Sequence, residues 1–317
     1  MRSIAAKEGV DISQIEGTGI HGRVTKQDIE AYLERRRAGG VAPPVATVAA
    51  PAAAAAPAAA AAPAGKVDTG FHVPAYLPGE EVVIEPMSRI RQITAAHMRY
   101  SKDTSAHVTT VFHIDFSKVH ATRERAKGKF LAANGTKLTY MPFIFKAVAA
   151  ALKAHPKLNA AVDGTNVVFK KQIHLGMAVA LDWGLLVPVL RNADTLNLVG
   201  LAKGANDLAD RARAKKLSPD ELKGGTFTIT NPGVYGSLFG TPIINQPQVA
   251  ILGIGTVEKR VVVETDADGN DHMVIKPMAY FGITYDHRLV DGADADHFMN
   301  SVKKGLLGPW PELDPYL

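Results

Sequence analysis

Beyond residue 80 the apolar positions follow two rhythms, one helical and one alternating. Ser88–Lys102 carries Ile90, Ile93, Ala96 and His97 at helical spacing, and Val108–Ile114 (VTTVFHI) is a β-branched strand signal. Phe116–Phe130 reads as a charged surface helix. Thr139–His155 is a richly apolar helix whose Pro142 suits the first turn. Strands are predicted over Asn166–Phe169, Ile173–Leu181 and Leu185–Leu190, with a turn at Asp182-Trp183-Gly184. Asn197–Lys216 is amphipathic and helical, and Ser218–Glu221 restarts a helix. Further strands are predicted over Thr226–Thr230, Val249–Gly255, Arg260–Val263 and Met273–Tyr285, before a final helix from about Ala293 to Leu306. The elements mix without regular βαβ alternation, so the expectation is an α+β domain with a mixed sheet.

The first 38 residues read as a miniature domain. A short helix over Ser3–Gly9 is followed by the loop Glu16-Gly17-Thr18-Gly19-Ile20-His21-Gly22, whose glycines require tight turns. Thr25-Lys26-Gln27-Asp28 is a capping-box signal for a helix with Ile29, Tyr32 and Leu33 on one face. The loop lacks the G-K-[ST] ending and preceding strand of a phosphate loop. From Gly39 to about Pro78 the composition changes. Ala49–Ala64 holds only alanine and proline, and its regularly spaced prolines break a helix while no side chain can build a core. The expected organisation is residues 1–38 as a binding domain, 39–79 as a semi-stiff tether and 80–317 as the large domain.

Composition narrows the chemistry. The chain of 317 residues has no cysteine, which removes disulfides, thiolate metal sites and a cysteine nucleophile. Its eleven histidines show no metal-binding spacing, and no metal site is expected. The net charge of +5 is mild and interleaves with no aromatic stripe, so nucleic acid is not an expected partner. No apolar run approaches the ~18 residues of a membrane span, so a cytoplasmic protein without membrane contact is expected.

The densest chemical signal is Asp286-His287-Arg288-Leu289-Val290-Asp291-Gly292. An apolar strand pattern ends on one histidine, an acid follows four residues later, and a glycine precedes a helix. That arrangement would deliver an imidazole to a loop. Taken alone, H-x-x-x-D more often marks a core histidine bonded to a carboxylate.

The wider pattern changes that reading. MRSIAAKEGVDISQIEGTGIHGRVTKQDIEAYL resembles the peripheral subunit-binding domain of the acyltransferase component of 2-oxo-acid dehydrogenase complexes. Residues 81–317 resemble the catalytic domain of the same dihydrolipoamide acyltransferases, which share a fold with chloramphenicol acetyltransferase. The matching blocks include PMSRIR around Arg89, AHVT, LTYMPF, GLLVPVLRNAD, GGTFTITNPG, TPIINQPQVAILGIG and YDHRLVDG.

The resemblance implies transfer of an acyl group between dihydrolipoamide and coenzyme A. A thiol of pKa about 8.5 is only a few per cent ionised at neutral pH, so a neutral imidazole is a fitting base. By resemblance His287 is that base, Thr230 the hydroxyl donor to the oxyanion, and Asp291 a loop anchor paired with Arg89. Asp286 is a weaker candidate for polarising the site. Arg23 is the implied electrostatic anchor for dihydrolipoamide dehydrogenase or the decarboxylase component. The family implies trimers, with His287 facing Thr230 of the adjacent chain, and further assembly into cubic or dodecahedral cores. The ending from Gly308 to Leu317 suits docking on a neighbour or a clasp on its own domain equally well.

The family's lipoyl domain, with its D-K-A lysine, has no counterpart in this sequence. The expectation is a fragment or short form, with lipoate carried on a separate lipoyl domain and coenzyme A as substrate. Acetyl transfer is favoured by AHVT, LTYMPF and AILGIG, whereas GSLFGTPIIN leans towards succinyl; branched-chain transfer shares the motifs. The alternative is a non-catalytic core subunit that only docks the dehydrogenase. A free-standing acetyltransferase acting on a small alcohol or amine would leave the binding domain and tether without a purpose.

Overall fold

A computed structural model describes residues 75–317, together with residues 24, 26, 28, 29 and 33. The chain divides into two compact units, Met1–Glu80 and Glu81–Leu317. In the first, Lys26, Asp28, Ile29 and Leu33 are helical, and Ile29 is fully buried. The glycine loop over residues 16–22, Arg23 and the Ala/Pro tract lie outside the described residues.

The second unit opens with helix α1 (Arg89–Thr104), whose N-cap Ser88 accepts the Arg91 amide at 3.3 Å. Its apolar spacing is as expected, yet Ile90 and Ile93 stay about half exposed and only Ser101 is buried. Strand β1 (His107–Asp115) leads to α2 (Ser117–Asn134), which ends on left-handed Gly135. This helix was expected at the surface. Its charges hide a narrow stripe of Val119, Ala126 and Phe130, all fully buried. Helix α3 (Met141–Ala154) is buried along most of its length and packs against α5 (Gly292–Gly305). A side chain on Gly305 would come within 2.9 Å of the Ala147 methyl, so glycine permits the close crossing.

Between these helices lie β2 (Ala160–Asp163), paired with β3 (Asn166–Phe169), and then two strands where one was expected. Ile173–Leu181 breaks into β4 (Leu175–Met177) and β5 (Val179–Leu181). Leu185–Leu190 likewise divides into β6 (Gly184–Leu186) and β7 (Val189–Leu190), with donor-less Pro188 at the break. Helix α4 (Leu198–Arg213) follows; Pro219–Leu222 is a short 3-10 turn with a Ser218/Glu221 capping box. Strands β8 (Phe227–Thr230), β9 (Ala250–Ile254), β10 (Glu258–Thr265) and β11 (Asp271–Asp286) complete the main sheet. Its order is β1-β11-β9-β8-β4-β7, with β10 also paired to β11. β8 runs parallel to β4 and β9, and the other pairings are antiparallel, so the fold is α+β with a mixed sheet.

The core lies between the sheet and α2, α3, α4 and α5, and includes fully buried Phe116, Phe143, Phe227, Phe281 and Phe298. Each such side chain contributes about 1.5–3 kcal/mol by leaving water. The C-terminus closes on its own domain. Trp310 stands edge-on to Phe143 at 5.1 Å, Leu313 is fully buried, and Tyr316 meets Phe130.

One face of the β10–β11 hairpin stays bare. Val261 opposes Ile275 and Val263 opposes Met273, and all four are 64–83% exposed. On one sheet face these directly opposed pairs form a continuous apolar surface.

Candidate active site

Strand β11 delivers its last residue, Asp286, to a turn in which the Leu289 and Val290 amides both donate to the Asp286 carbonyl at 3.0 Å. His287 stands on this turn, and its amide donates to the Ala106 carbonyl at 2.8 Å, tying the turn to the start of β1. The imidazole is 45% exposed, available to a ligand from outside the domain. Asp291 is the N-cap of α5, sharing a reciprocal capping box with Asp294. Its carboxylate lies 3.9 Å from His287 Nδ1, beyond hydrogen-bond range, and is 71% exposed.

Asp286, in contrast, is only 1% exposed. Arg288 grips its carboxylate with Nε at 3.0 and 3.1 Å and Nη2 at 2.7 Å, and the Ala106 and Arg288 amides add bonds at 3.2 and 3.1 Å. Burial pushes the Asp286 carboxyl up, but the bonds from Arg288 and the Ser105 hydroxyl outweigh it and hold the group below the usual carboxylate range. Gln246 extends the support, with Nε2 donating to Ser105 at 2.6 Å. The anchor of the histidine turn is therefore the Asp286–Arg288 fork. Sequence reasoning placed the anchor at Asp291 and Arg89 and gave Arg288 no role. Arg89 is exposed at the start of α1 and forms no ion pair among the described residues, and Asp291 caps α5 instead. The Asp-x-Arg spacing was the available signal, because a strand-ending acid and an arginine two residues on return to the same side of a turn.

Thr230 ends β8 and lines a cavity of about 480 Å³ with Met141, Met177, Val179, Asn231 and Tyr235. Its hydroxyl has no hydrogen-bond partner among the described residues, so its proton is available to a ligand oxygen. Glycines fix the loop that follows. A Cβ on Gly233 would lie 2.4 Å from the Gly255 carbonyl carbon, one on Gly255 1.8 Å from the Leu238 oxygen, and one on Gly282 2.7 Å from the Gly240 oxygen. With no side chains there, the loop backbone rests directly on β9 and β11.

Tyr140 also faces the cavity and was not singled out from the sequence. Its hydroxyl meets His120 Nδ1 at 2.7 Å, and the Arg123 guanidinium lies 5.1 Å from its ring centre. Burial pushes its phenol up. Asn231 donates to the Met141 sulfur at 3.6 Å, fixing the cavity wall beside Thr230.

The two expected partners stand at opposite ends of this sheet. Thr230 is level with Gly253, and Gly253 with Gly282, so His287 lies five residues further along β11 and two strands across. At strand geometry that is about 17 Å along and about 10 Å sideways. Within one chain His287 and Thr230 do not meet.

The domain is a mixed sheet whose last long strand presents a histidine at one end, with a cavity holding an open threonine at the other. Residues 79–312 match the model of the 2-oxoacid dehydrogenases acyltransferase catalytic domain, and residues 2–30 that of the e3 binding domain. The chain belongs to this acyltransferase family. It is 43% identical over 308 residues to the dihydrolipoyllysine-residue acetyltransferase component of the pyruvate dehydrogenase complex of Mycobacterium tuberculosis, covering 96% of this chain and 53% of that one. It is 40% identical to the succinyltransferase component of the 2-oxoglutarate dehydrogenase complex of Bacillus subtilis, covering 97% of this chain and 68% of that one. The chain thus spans about half the length of the acetyltransferase it matches. Among solved structures, the dihydrolipoamide acetyltransferase of Azotobacter vinelandii superposes with a TM-score of 0.68 at 36% identity, covering 74% of this chain and 97% of that one. A serine, a histidine and an asparagine have been studied in the catalytic mechanism of that enzyme. Among the described residues no helix is long and apolar enough to cross a membrane, and no cluster could hold a metal ion.

Proposed function

We propose that this chain transfers an acyl group between dihydrolipoamide and coenzyme A within a 2-oxo-acid dehydrogenase complex. The observation that carries the reading is the exposed His287 on a turn locked by Asp286 and Arg288, in a chain of the acyltransferase family. The neutral imidazole takes the proton of the attacking thiol, coenzyme A in one direction and dihydrolipoamide in the other. The thiolate adds to the thioester carbonyl, and the hydroxyl of Thr230 donates to the oxyanion of the tetrahedral intermediate. Collapse expels the second thiolate, which recovers the proton from the imidazolium. The histidine and asparagine studied in the Azotobacter enzyme are four positions apart, the spacing of His287 and Asp291, which supports the assignment. Asp286 and Arg288 position the turn, Asp291 orders the helix behind it, and Arg89 is left free to reach another chain.

The distance between His287 and Thr230 supports a site completed by a second copy, each chain giving its histidine to one site and its threonine to the next. The uncovered hairpin face and the half-exposed apolar side of α1 supply surface for such self-association, and trimers assembling into a larger core are the expected form. Residues 1–38, joined by a tether over 39–79 to a catalytic domain over 80–317, would dock dihydrolipoamide dehydrogenase or the decarboxylase component, with Arg23 as a contact. Lipoate would be presented by a separate lipoyl domain. Acetyl is the favoured acyl group. The test is an assay of free dihydrolipoamide with acetyl-, succinyl- and isobutyryl-coenzyme A. Acyl-dihydrolipoamide should form fastest from acetyl-coenzyme A and be lost in His287→Ala. Absence of transfer with all three would make this a docking subunit only.

A further inference from the structure

A second cleft, of about 1050 Å³, opens at the other end of β8 from Thr230, lined by segments after β3, before β4, after β7 and before β8 and β9. Its charge is one-sided. Lys170, Lys171, Arg191 and Lys223 line it, and no carboxylate among the described residues does. Of the four, only Lys223 has a carboxylate partner among the described residues, Asp220 at 3.2 Å. Arg191 spends Nη2 on the Asp220 and Lys223 carbonyls, which holds the guanidinium over left-handed Gly224 without neutralising it.

The cleft is also lined by donors on largely buried side chains, open to the cleft and without an acceptor among the described residues. His174 is 9% exposed, and its Nδ1 accepts the Asn192 amide at 3.0 Å. The ring proton of the neutral tautomer therefore sits on Nε2, which has no partner among the described residues. Gln248 is 4% exposed. Asn245 donates to the Thr228 hydroxyl at 3.4 Å, so that hydroxyl gives its own proton to Gln248 Oε1, at 2.7 Å. This leaves the Gln248 amide nitrogen without an acceptor among the described residues. Each of these side chains is held by a bond at its other polar atom and leaves one donor facing a cleft whose rim is cationic. Phe169, half exposed, adds an aromatic face to the same wall.

We propose that this cleft binds a nucleoside di- or triphosphate, separately from the Thr230 cavity. The volume accommodates such a ligand. His174, Gln248 and the cations would take the phosphates, and Phe169 the base. Neither acyl transfer nor docking of a dehydrogenase requires this donor set, and the inference stands apart from the proposed activity.

The experiment is calorimetric titration of the full assembled chain with ADP and with inorganic pyrophosphate, each with and without saturating coenzyme A. Both should bind saturably in the presence of coenzyme A. Lys171→Glu should weaken both by roughly tenfold or more, and Lys171→Arg should restore most of the affinity. Phe169→Ala should weaken ADP and leave pyrophosphate unchanged. Absence of saturable binding overturns the proposal. So does ADP binding that coenzyme A displaces and Lys171→Glu leaves intact, because the nucleotide would then occupy the substrate channel. Light scattering on the same variants adds a third overturning result: dissociation of the assembly by Lys171→Glu would mean that the cleft packs against another copy.

Discussion

Arg288 closes on Asp286 through two guanidinium nitrogens, with Nη2–Oδ2 at 2.7 Å, and this fork holds the turn that carries His287. The carboxylate is buried and the guanidinium 39% exposed, so the pair is anchored inside the domain and reaches water at one edge. Arg288→Gln leaves a buried carboxylate with only its amide and hydroxyl donors. Denaturant titration should show a loss of about 2–4 kcal/mol, below the full cost of breaking a buried pair because the guanidinium is partly solvated. Acyl transfer should fall at the same time, since the turn would lose its fixed orientation, and Arg288→Lys should rescue it only in part because an ammonium cannot make the fork.

The same carboxylate sets a pH dependence. Its folded-state pKa lies below the ordinary value of about 3.9, so the folded state binds fewer protons than the unfolded chain. The stability it contributes is complete above that ordinary value and is lost as pH falls through the lower folded-state value. Asp286→Asn should therefore flatten the pH dependence of the melting temperature below about pH 4. A profile as steep as that of the parent chain would assign acid unfolding to other carboxylates.

The loop after Thr230 depends on backbone contact. Gly255→Ala would drive a methyl to 1.8 Å from the Leu238 carbonyl oxygen, and neither backbone can yield cheaply. The expected destabilisation is about 1–3 kcal/mol, typical of overpacking, with turnover falling further than stability alone explains. Gly236, where the left-handed φ of 84° leaves open space for a side chain, is the control. Substitution there should strain only the local turn and leave β9 in place.

Much of this was legible in the sequence because it is local. Alternation and helical spacing located most strands and helices, and the strand-histidine-glycine order of residues 279–292 marked the turn that carries His287. What escaped was set by distant packing. The buried stripe of α2 is diluted by its charges, and the weak strand pairing at Pro188 divides what looked like one strand. The Asp286–Arg288 fork was not read from the sequence because an exposed acid after a histidine and a buried acid before it look alike in one dimension. Only burial separates Asp291 from Asp286, and burial depends on Ser105 and Ala106, about 180 residues away along the chain, and on Gln246, which supports Ser105.

The bare hairpin face makes a prediction about assembly. Val263 and Met273 are opposed and 64% and 83% exposed, so placing charge there costs the isolated domain little. If this face is covered by a second copy, Met273→Glu buries an unpaired charge at the contact. Sedimentation should then show smaller species for Met273→Glu, while the melting transition of the dissociated domain stays close to its parent.

The separation of His287 from Thr230 gives the most direct prediction. Thr230→Val should lower turnover by on the order of 10²–10³ through loss of one oxyanion donor, and His287→Ala should abolish general-base transfer. Each homogeneous variant is therefore nearly inactive. Co-assembled from equal amounts of the two chains, however, some interfaces bring the intact His287 of a Thr230→Val chain to the intact Thr230 of a His287→Ala chain. Random pairing makes about a quarter of the interfaces complete in closed rings. Activity of the mixed assembly should accordingly recover to roughly a quarter of the parent's after co-refolding, and simple mixing of preformed assemblies should give none. A site built within one chain yields no recovery in either case, because every chain in the mixture carries one defect. Recovery on co-refolding alone thus distinguishes the shared site from the single-chain one.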